Sequence, residues 1–175
     1  DTEWFTIPEG CTVEQMAEIL SSDHLVDSRR FLEIVSHPPQ KMIDQFSFLQ
    51  QSAGSESRYA LEGYLFPDTY EIPRGASEEE IISLMLHRMN KIIDQSFEKR
   101  AREMGMTTHE IITLASIVEK EAAVADERGL IASVFFNRLA DNYLLQSCAT
   151  VQYILGEVKP VLSTKDTQIE STYNT

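Results

Sequence analysis

The sequence predicts an α+β protein, with a small β-α-α-β unit ahead of an all-helical lobe. Three observations carry that reading. A strand–turn–helix segment occurs twice in the first half. The second half shows helical periodicity and cap signals. The composition, 42% hydrophobic and 25% charged over 175 residues, is that of ordinary globular material. The expected division is residues 1–76 for the mixed unit and 77–175 for the helical lobe.

The repeat is the most informative feature. "FTIPEGCTVEQMAEIL" (5–20) aligns without gaps on "YEIPRGASEEEIISLM" (70–85). In each, a short β-prone run ends at a proline, which removes a ladder donor, and a glycine permits the turn. Thr12 or Ser77 then sits where an N-cap is needed, with Gln15 or Glu80 three residues later to complete a capping box. Between the copies, "DSRRFLEIV" (27–35) reads as a second helix capped by Asp27 or Ser28, and "SHPPQ" (36–40) breaks it. Residues 51–58 read as a polar loop, and the two distant strands are expected to pair side by side.

Beyond Ser77 every signal is helical. One long helix is expected over about 77–104, ending at Gly105 as its C′ residue. Thr107-Thr108-His109-Glu110 is a third capping box, opening a helix that runs to Glu121. Asp126 is placed to cap the next, running to about Asn142. Cys148–Leu155 reads as a short helix and Ser163–Ile169 as a last turn.

Composition excludes several functions. A formal net charge of −13 argues against a nucleic-acid backbone partner. Cys11 and Cys148 form no disulfide framework, and the four histidines show no metal-ligand spacing, so no metal and no cofactor is expected. No segment approaches the ~20 apolar residues that cross a bilayer.

The stretch "LASIVEKEAAVADERGLIASVFFNRL" poses the chemical question. At ~100° per residue, Ile111, Leu114, Ala115, Val118 and Ala122 share one arc, the expected core face. Glu121 falls on one flank, between Leu114 and Ile117, and Glu119 on the other, beside Ile112. They do not make a close carboxylate dyad. The ordinary reading of both is a solvated flank charge. Against it, a carboxylate near a helix C-terminus opposes the macrodipole, and apolar neighbours add a desolvation cost. Both effects suit a group that must hold a proton and give it up, as a general acid does. Spacing alone does not choose between Glu121 and Glu119.

"LEGYLFPDTYEI", "ASIVEKEAAVADERGLIASVFFNRL", "LLQSCATVQYIL" and "STYNT" resemble, in that order, segments of the MltG-type (YceG-like) endolytic murein transglycosylases. The resemblance covers nearly the whole chain. It implies a LysM-like β-α-α-β subdomain followed by a lysozyme-like catalytic lobe, and an N-terminal membrane anchor outside this chain, with the domain on the extracytoplasmic side of a bacterial cell membrane. The implied activity is cleavage of the MurNAc-GlcNAc β-1,4 bond of nascent peptidoglycan strands, leaving 1,6-anhydro-MurNAc ends. The catalytic glutamate of the family corresponds to Glu121, as general acid and then base. Gln146, Thr150, Tyr173 and Asn174 match motif positions and, with Tyr153 beside them, are the expected sugar contacts. Glu119, Asn137 and Arg138 are expected to support the site by tying helices together, through Glu119 or Glu127. Peptidoglycan synthases are the expected protein partners.

The chain departs from the family pattern twice. Gln146-Ser147-Cys148-Ala149-Thr150 stands where many relatives have Gln-x-Asp-Pro-Thr, and relatives continue beyond the equivalent of Thr175, so a truncated C-terminus is expected. Two other function classes compete. One is a non-catalytic peptidoglycan-binding or scaffolding module, which Gln or Ala at position 121 would have favoured. The other is a cysteine hydrolase using Cys148, which needs a histidine that the last 60 or so residues do not supply.

Overall fold

In the computed structural model, which describes residues 1–51 and 58–175, two short strands are hydrogen-bonded antiparallel. Strand β1 (Thr2–Thr6) pairs with β2 (Thr69–Pro73), Trp4 lying opposite Glu71 and Phe5 opposite Tyr70. The Ile7 amide extends the pairing to the Asp68 carbonyl at 3.0 Å. Strand alternation sends Phe5, Ile7, Tyr70 and Ile72 inward and leaves Thr6, Thr69 and Glu71 exposed. Phe5 and Tyr70 stack across the ribbon with ring centroids 5.1 Å apart.

Among the described residues, four helices lie between the strands: α1 (Val13–Ser22), α2 (Ser28–Ser36), α3 (Gln40–Gln45) and α4 (Ser47–Gln51). The expected β-α-α-β unit thus gains two short helices. The Pro38-Pro39 pair ends α2 but also starts α3, because a fixed φ and a missing N–H suit a helix entrance. α1 and α2 begin where their caps predict. Thr12 and Gln15 form the capping box of α1, and the Asp27 carboxylate accepts from the Arg30 amide at 2.9 Å. The polar loop read over 51–58 falls largely on residues 52–57, outside the described residues.

The single long helix expected over 77–104 is two. α5 (Glu78–Ile92) opens on the Ser77–Glu80 capping box, and α6 (Gln95–Glu103) follows after a break. Asp94 causes the break: its carboxylate accepts from the Phe97 amide at 2.9 Å and the Ser96 hydroxyl at 2.7 Å. Side-chain caps of this kind compete with continued helix. Gly105, at φ +68°, takes the left-handed conformation that ends α6.

α5 buries Ile81, Ile82, Met85 and Leu86 in the same core as Phe5, Leu20, Phe31 and Tyr64. The first compact unit therefore runs to Ile112, and the 76/77 boundary read from sequence falls inside it. Arg88 on α5 grips the chain just before β2. Its guanidinium meets the Asp68 carboxylate at 2.6 Å, holding that carboxyl below its usual range, and lies 5.1 Å from the Phe66 ring centre.

The second unit, Thr113–Thr175, holds most of α7 (Thr108–Glu121), a 3-10 turn (Ala125–Glu127), α8 (Arg128–Ala140), α9 (Cys148–Leu155) and α10 (Thr164–Thr167). Asp126 lies inside the 3-10 turn and does not cap α8, which starts without a side-chain cap. α10 opens on a Ser163–Asp166 capping box, and Lys159 reaches the same Asp166 at 3.1 Å.

Leu86 is fully buried, so Leu86→Ala removes its transfer energy and leaves a cavity. The expected loss is about 3 kcal/mol, read as a lower urea midpoint at unchanged slope. Asp166 gives a pH signature. The Ser163 hydroxyl and amide, and then the Lys159 ammonium, hold its carboxyl at about 2, against the ordinary 3.8. A depressed carboxyl stabilises the folded state above its unfolded value, and that contribution is lost as pH falls from 3.8 towards about 2. Amide exchange at Ser163 and Asp166 should accelerate over that window relative to neighbouring amides, and Asp166→Asn should remove the transition.

Candidate functional site

Glu121 is the last residue of α7, and its carboxylate turns to the start of α9. Oε1 accepts from the Ser147 hydroxyl at 2.5 Å and from the Ala149 amide at 3.3 Å. Ser147 is the N-cap of α9, its hydroxyl oxygen also accepting from the Ala149 amide at 3.2 Å. A charge that opposes the dipole of its own helix thus lies at the positive end of the next one. Among the described residues no hydrogen bond reaches Oε2.

The burial pattern of α7 differs from the helical-wheel expectation. Leu114, Ile117 and Val118 are buried, whereas Ala115 is exposed and Ile111 half-buried. Glu121 is exposed and Glu119 half-buried. Position explains this. No further turn of α7 follows Glu121, and the side chain is drawn away by two donors belonging to α9.

The loop from α8 to α9 turns so that Ser147 can cap. Gln146 adopts φ +52°, which costs a non-glycine residue about 1 kcal/mol. Its amide donates to the Thr175 carbonyl at 2.8 Å. Arg138, on α8, braces the same loop by donating to the Leu145 carbonyl, and it does not pair with Glu119 or Glu127. Asn137 is exposed, and its backbone carbonyl accepts the Asp141 amide.

The C-terminal residues meet the start of α9. Thr150 is buried; its hydroxyl lies 2.9 Å from the Ser147 carbonyl, to which it donates, and 3.3 Å from the Thr175 hydroxyl. Tyr153 and Tyr173 form a tilted ring pair with centroids 5.3 Å apart. The Asn174 side-chain amide donates to the Thr167 and Ile169 carbonyls at 3.0 and 2.8 Å, stapling the end of the chain to α10. Glu121, Gln146 and Thr150 are therefore linked through Ser147 and Thr175, while Tyr153 and Tyr173 form a neighbouring pair. Glu119 and Asn137 are not tied to this network.

Sequence reasoning passed over Ser147. Its signal was present, because a serine directly before the apolar run of Cys148–Leu155 is an N-cap pattern. What the sequence lacked was the partner, since Glu121 lies 26 residues earlier. Cys148 is exposed at the first turn of α9, and no group of three or more candidate metal ligands occurs among the described residues.

The YceG-like family model matches residues 1–175. The chain is 38% identical over 177 residues to the endolytic murein transglycosylase of Bacillus subtilis (strain 168), covering 97% of this chain and 48% of that protein. It is 34% identical over 184 residues to the endolytic murein transglycosylase of Streptococcus pneumoniae (strain D39), covering 97% of this chain and 33% of that protein. It thus spans between a third and a half of these relatives. Its structure is similar to the crystal structure of a YceG-like protein from Listeria monocytogenes, with a TM-score of 0.86, 33% identity, and coverage of 98% of this chain and 58% of that one. With the family model matched along its whole length, the chain belongs to the YceG-like family.

Proposed function

We propose that this chain is part of an extracytoplasmic, membrane-anchored peptidoglycan lytic transglycosylase, and that Glu121 is its acid and then its base. The observation that carries the reading is the disposition of Glu121: an exposed carboxyl, one oxygen held by Ser147 and Ala149 and the other open. The naming of two relatives as endolytic murein transglycosylases, matched over 97% of this chain, supports the substrate class.

The chemistry needs only one carboxyl. Glu121 gives its Oε2 proton to the glycosidic oxygen between MurNAc and GlcNAc as the bond from that oxygen to muramyl C1 breaks. The carboxylate then takes the proton of the muramyl C6 hydroxyl while that oxygen bonds C1, closing the 1,6-anhydro ring. Acid and base are the same group, and the nucleophile is intramolecular, so water and a second carboxylate are not required. Ordinary glycosidases use a carboxyl pair. Glu119, half-buried on the other flank of α7, has no tie to the Glu121 network and is not assigned that part.

Gln146, exposed beside Ser147, is the first candidate for hydrogen bonds to sugar hydroxyls and acetamido groups, with Tyr153 and Tyr173 as ring surfaces. Thr150 acts through its hydroxyl contacts to the Ser147 carbonyl and the Thr175 hydroxyl, and Asn174 through its bonds to the Thr167 and Ile169 carbonyls. The first unit, with its two-stranded sheet and intervening helices, is read as the LysM-like part that holds the glycan.

The test is a product assay with the intact protein on uncross-linked peptidoglycan strands, reading new chain ends by mass spectrometry. Anhydro ends are expected, and Glu121→Gln should lower their rate by at least about 100-fold. Reducing ends, one water heavier, would mean a hydrolase with a second base. Binding of the strands with no cleavage would leave a scaffolding module.

A further inference from the structure

We propose that Ser147 is a positioning residue for Glu121: its hydroxyl carries the field of the α9 N-terminus onto Oε1 and leaves Oε2 as the atom that exchanges the proton. This rests on the reading of Glu121 given above.

The inference comes from three contacts that form a directed chain. The Ala149 amide donates to the Ser147 hydroxyl oxygen at 3.2 Å, and that hydroxyl donates to Glu121 Oε1 at 2.5 Å. The same amide lies 3.3 Å from Oε1, so one N–H serves both acceptors. A serine has one proton to give. Here it goes to the carboxylate, while the oxygen is satisfied from behind by a helix amide. Ser147 is itself buried, with 4% of its surface exposed, whereas Glu121 is exposed. The donor is therefore held inside the unit and the carboxylate it holds faces outward. An ordinary N-cap serine bonds its own helix only. This one also grips a residue at the end of another helix, which its cap function does not require.

The consequence for proton exchange follows from the geometry. A bond to Oε1 fixes the rotation of a carboxylate whose helix has just ended, and it survives in both protonation states. When Oε2 carries the proton, Oε1 still accepts from Ser147. Once Oε2 has given that proton up, the bond becomes charge-assisted and stronger. Ser147 keeps its own proton throughout, so no atom is added to or lost from the reaction written above. The hydroxyl fixes the orientation of the Glu121 carboxyl before it gives up its proton and holds the freed carboxylate in place to act as base.

The test compares Ser147→Ala and Ser147→Thr in the intact protein, alongside Glu121→Gln. Ser147→Ala is expected to lower kcat by about 10–100-fold, the range for losing a hydrogen bond to a charged group, with KM within about twofold. Ser147→Thr, which keeps the hydroxyl, should restore kcat. A purely structural cap would lower thermal stability while leaving kcat, measured well below the unfolding temperature, within about twofold of wild type, and that result overturns the inference. If Ser147→Ala does not fold, Ser147→Gly replaces it, since glycine is tolerated at an N-cap. Wild-type behaviour of the alanine variant with an inactive Glu121→Gln rejects the role of Ser147 alone. An active Glu121→Gln rejects the reading of Glu121, and that of Ser147 with it.

Discussion

The pairing of β1 with β2 is the constraint on which the first unit depends. The two strands are more than sixty residues apart, and joining them closes a loop that includes α1, α2, α3 and α4. Closing so long a loop has an entropic cost that must be met by what the loop buries. Phe5, Ile7, Tyr70 and Ile72 provide an apolar floor, and Leu20, Phe31 and Tyr64 join it from the intervening chain. Arg88 fastens the entrance of β2 to α5 through Asp68, so the second copy of the strand–turn–helix repeat is tied to the sheet by its own helix. A slip of β1 by one residue would turn Phe5 and Ile7 outward and leave that core without half of its floor.

The second unit is organised by a different principle. Leu114, Ile117, Val118, Phe135 and Val151 are its buried hydrophobic residues, while Leu130, Val134, Tyr143, Leu144, Val158 and Val161 are exposed. With so modest a core, polar contacts carry much of the definition. Ser147 joins α7 to α9, Arg138 braces the loop before α9, Thr150 and Gln146 hold Thr175, and Asn174 holds the segment after α10. Each of these bonds is modest in energy but specific in geometry. Such a framework suits a site, because it sets directions that apolar packing leaves free.

The helix entrances were legible in the sequence because they are local. Thr12 with Gln15, Ser77 with Glu80, and Thr107 with Glu110 are three residues apart, and each forms the capping box that its spacing implies. Asp94 shows the limit of that reading. Its cap was present in the sequence, but the apolar periodicity on both sides of it favoured one long helix. Pro38-Pro39 was read as a stop and is also a start, which depends on chain direction and on what Met42 can bury. The core that α5 joins was not legible for a related reason: α5 has the periodicity of any amphipathic helix, and nothing in that pattern says which core will receive it.

The sequence by itself determined the capping boxes at Thr12, Ser77 and Thr107, and that Glu121 ends a helix. Those properties depend on neighbours within one or two turns. Only the tertiary structure decided what Glu121 touches. The helical wheel names only its neighbours on α7, and the fold brings it the N-terminus of α9 and the Ser147 hydroxyl. The physical reason is that a side chain at a helix end is governed by whichever donor the fold brings near. A wheel describes only the helix it is drawn on.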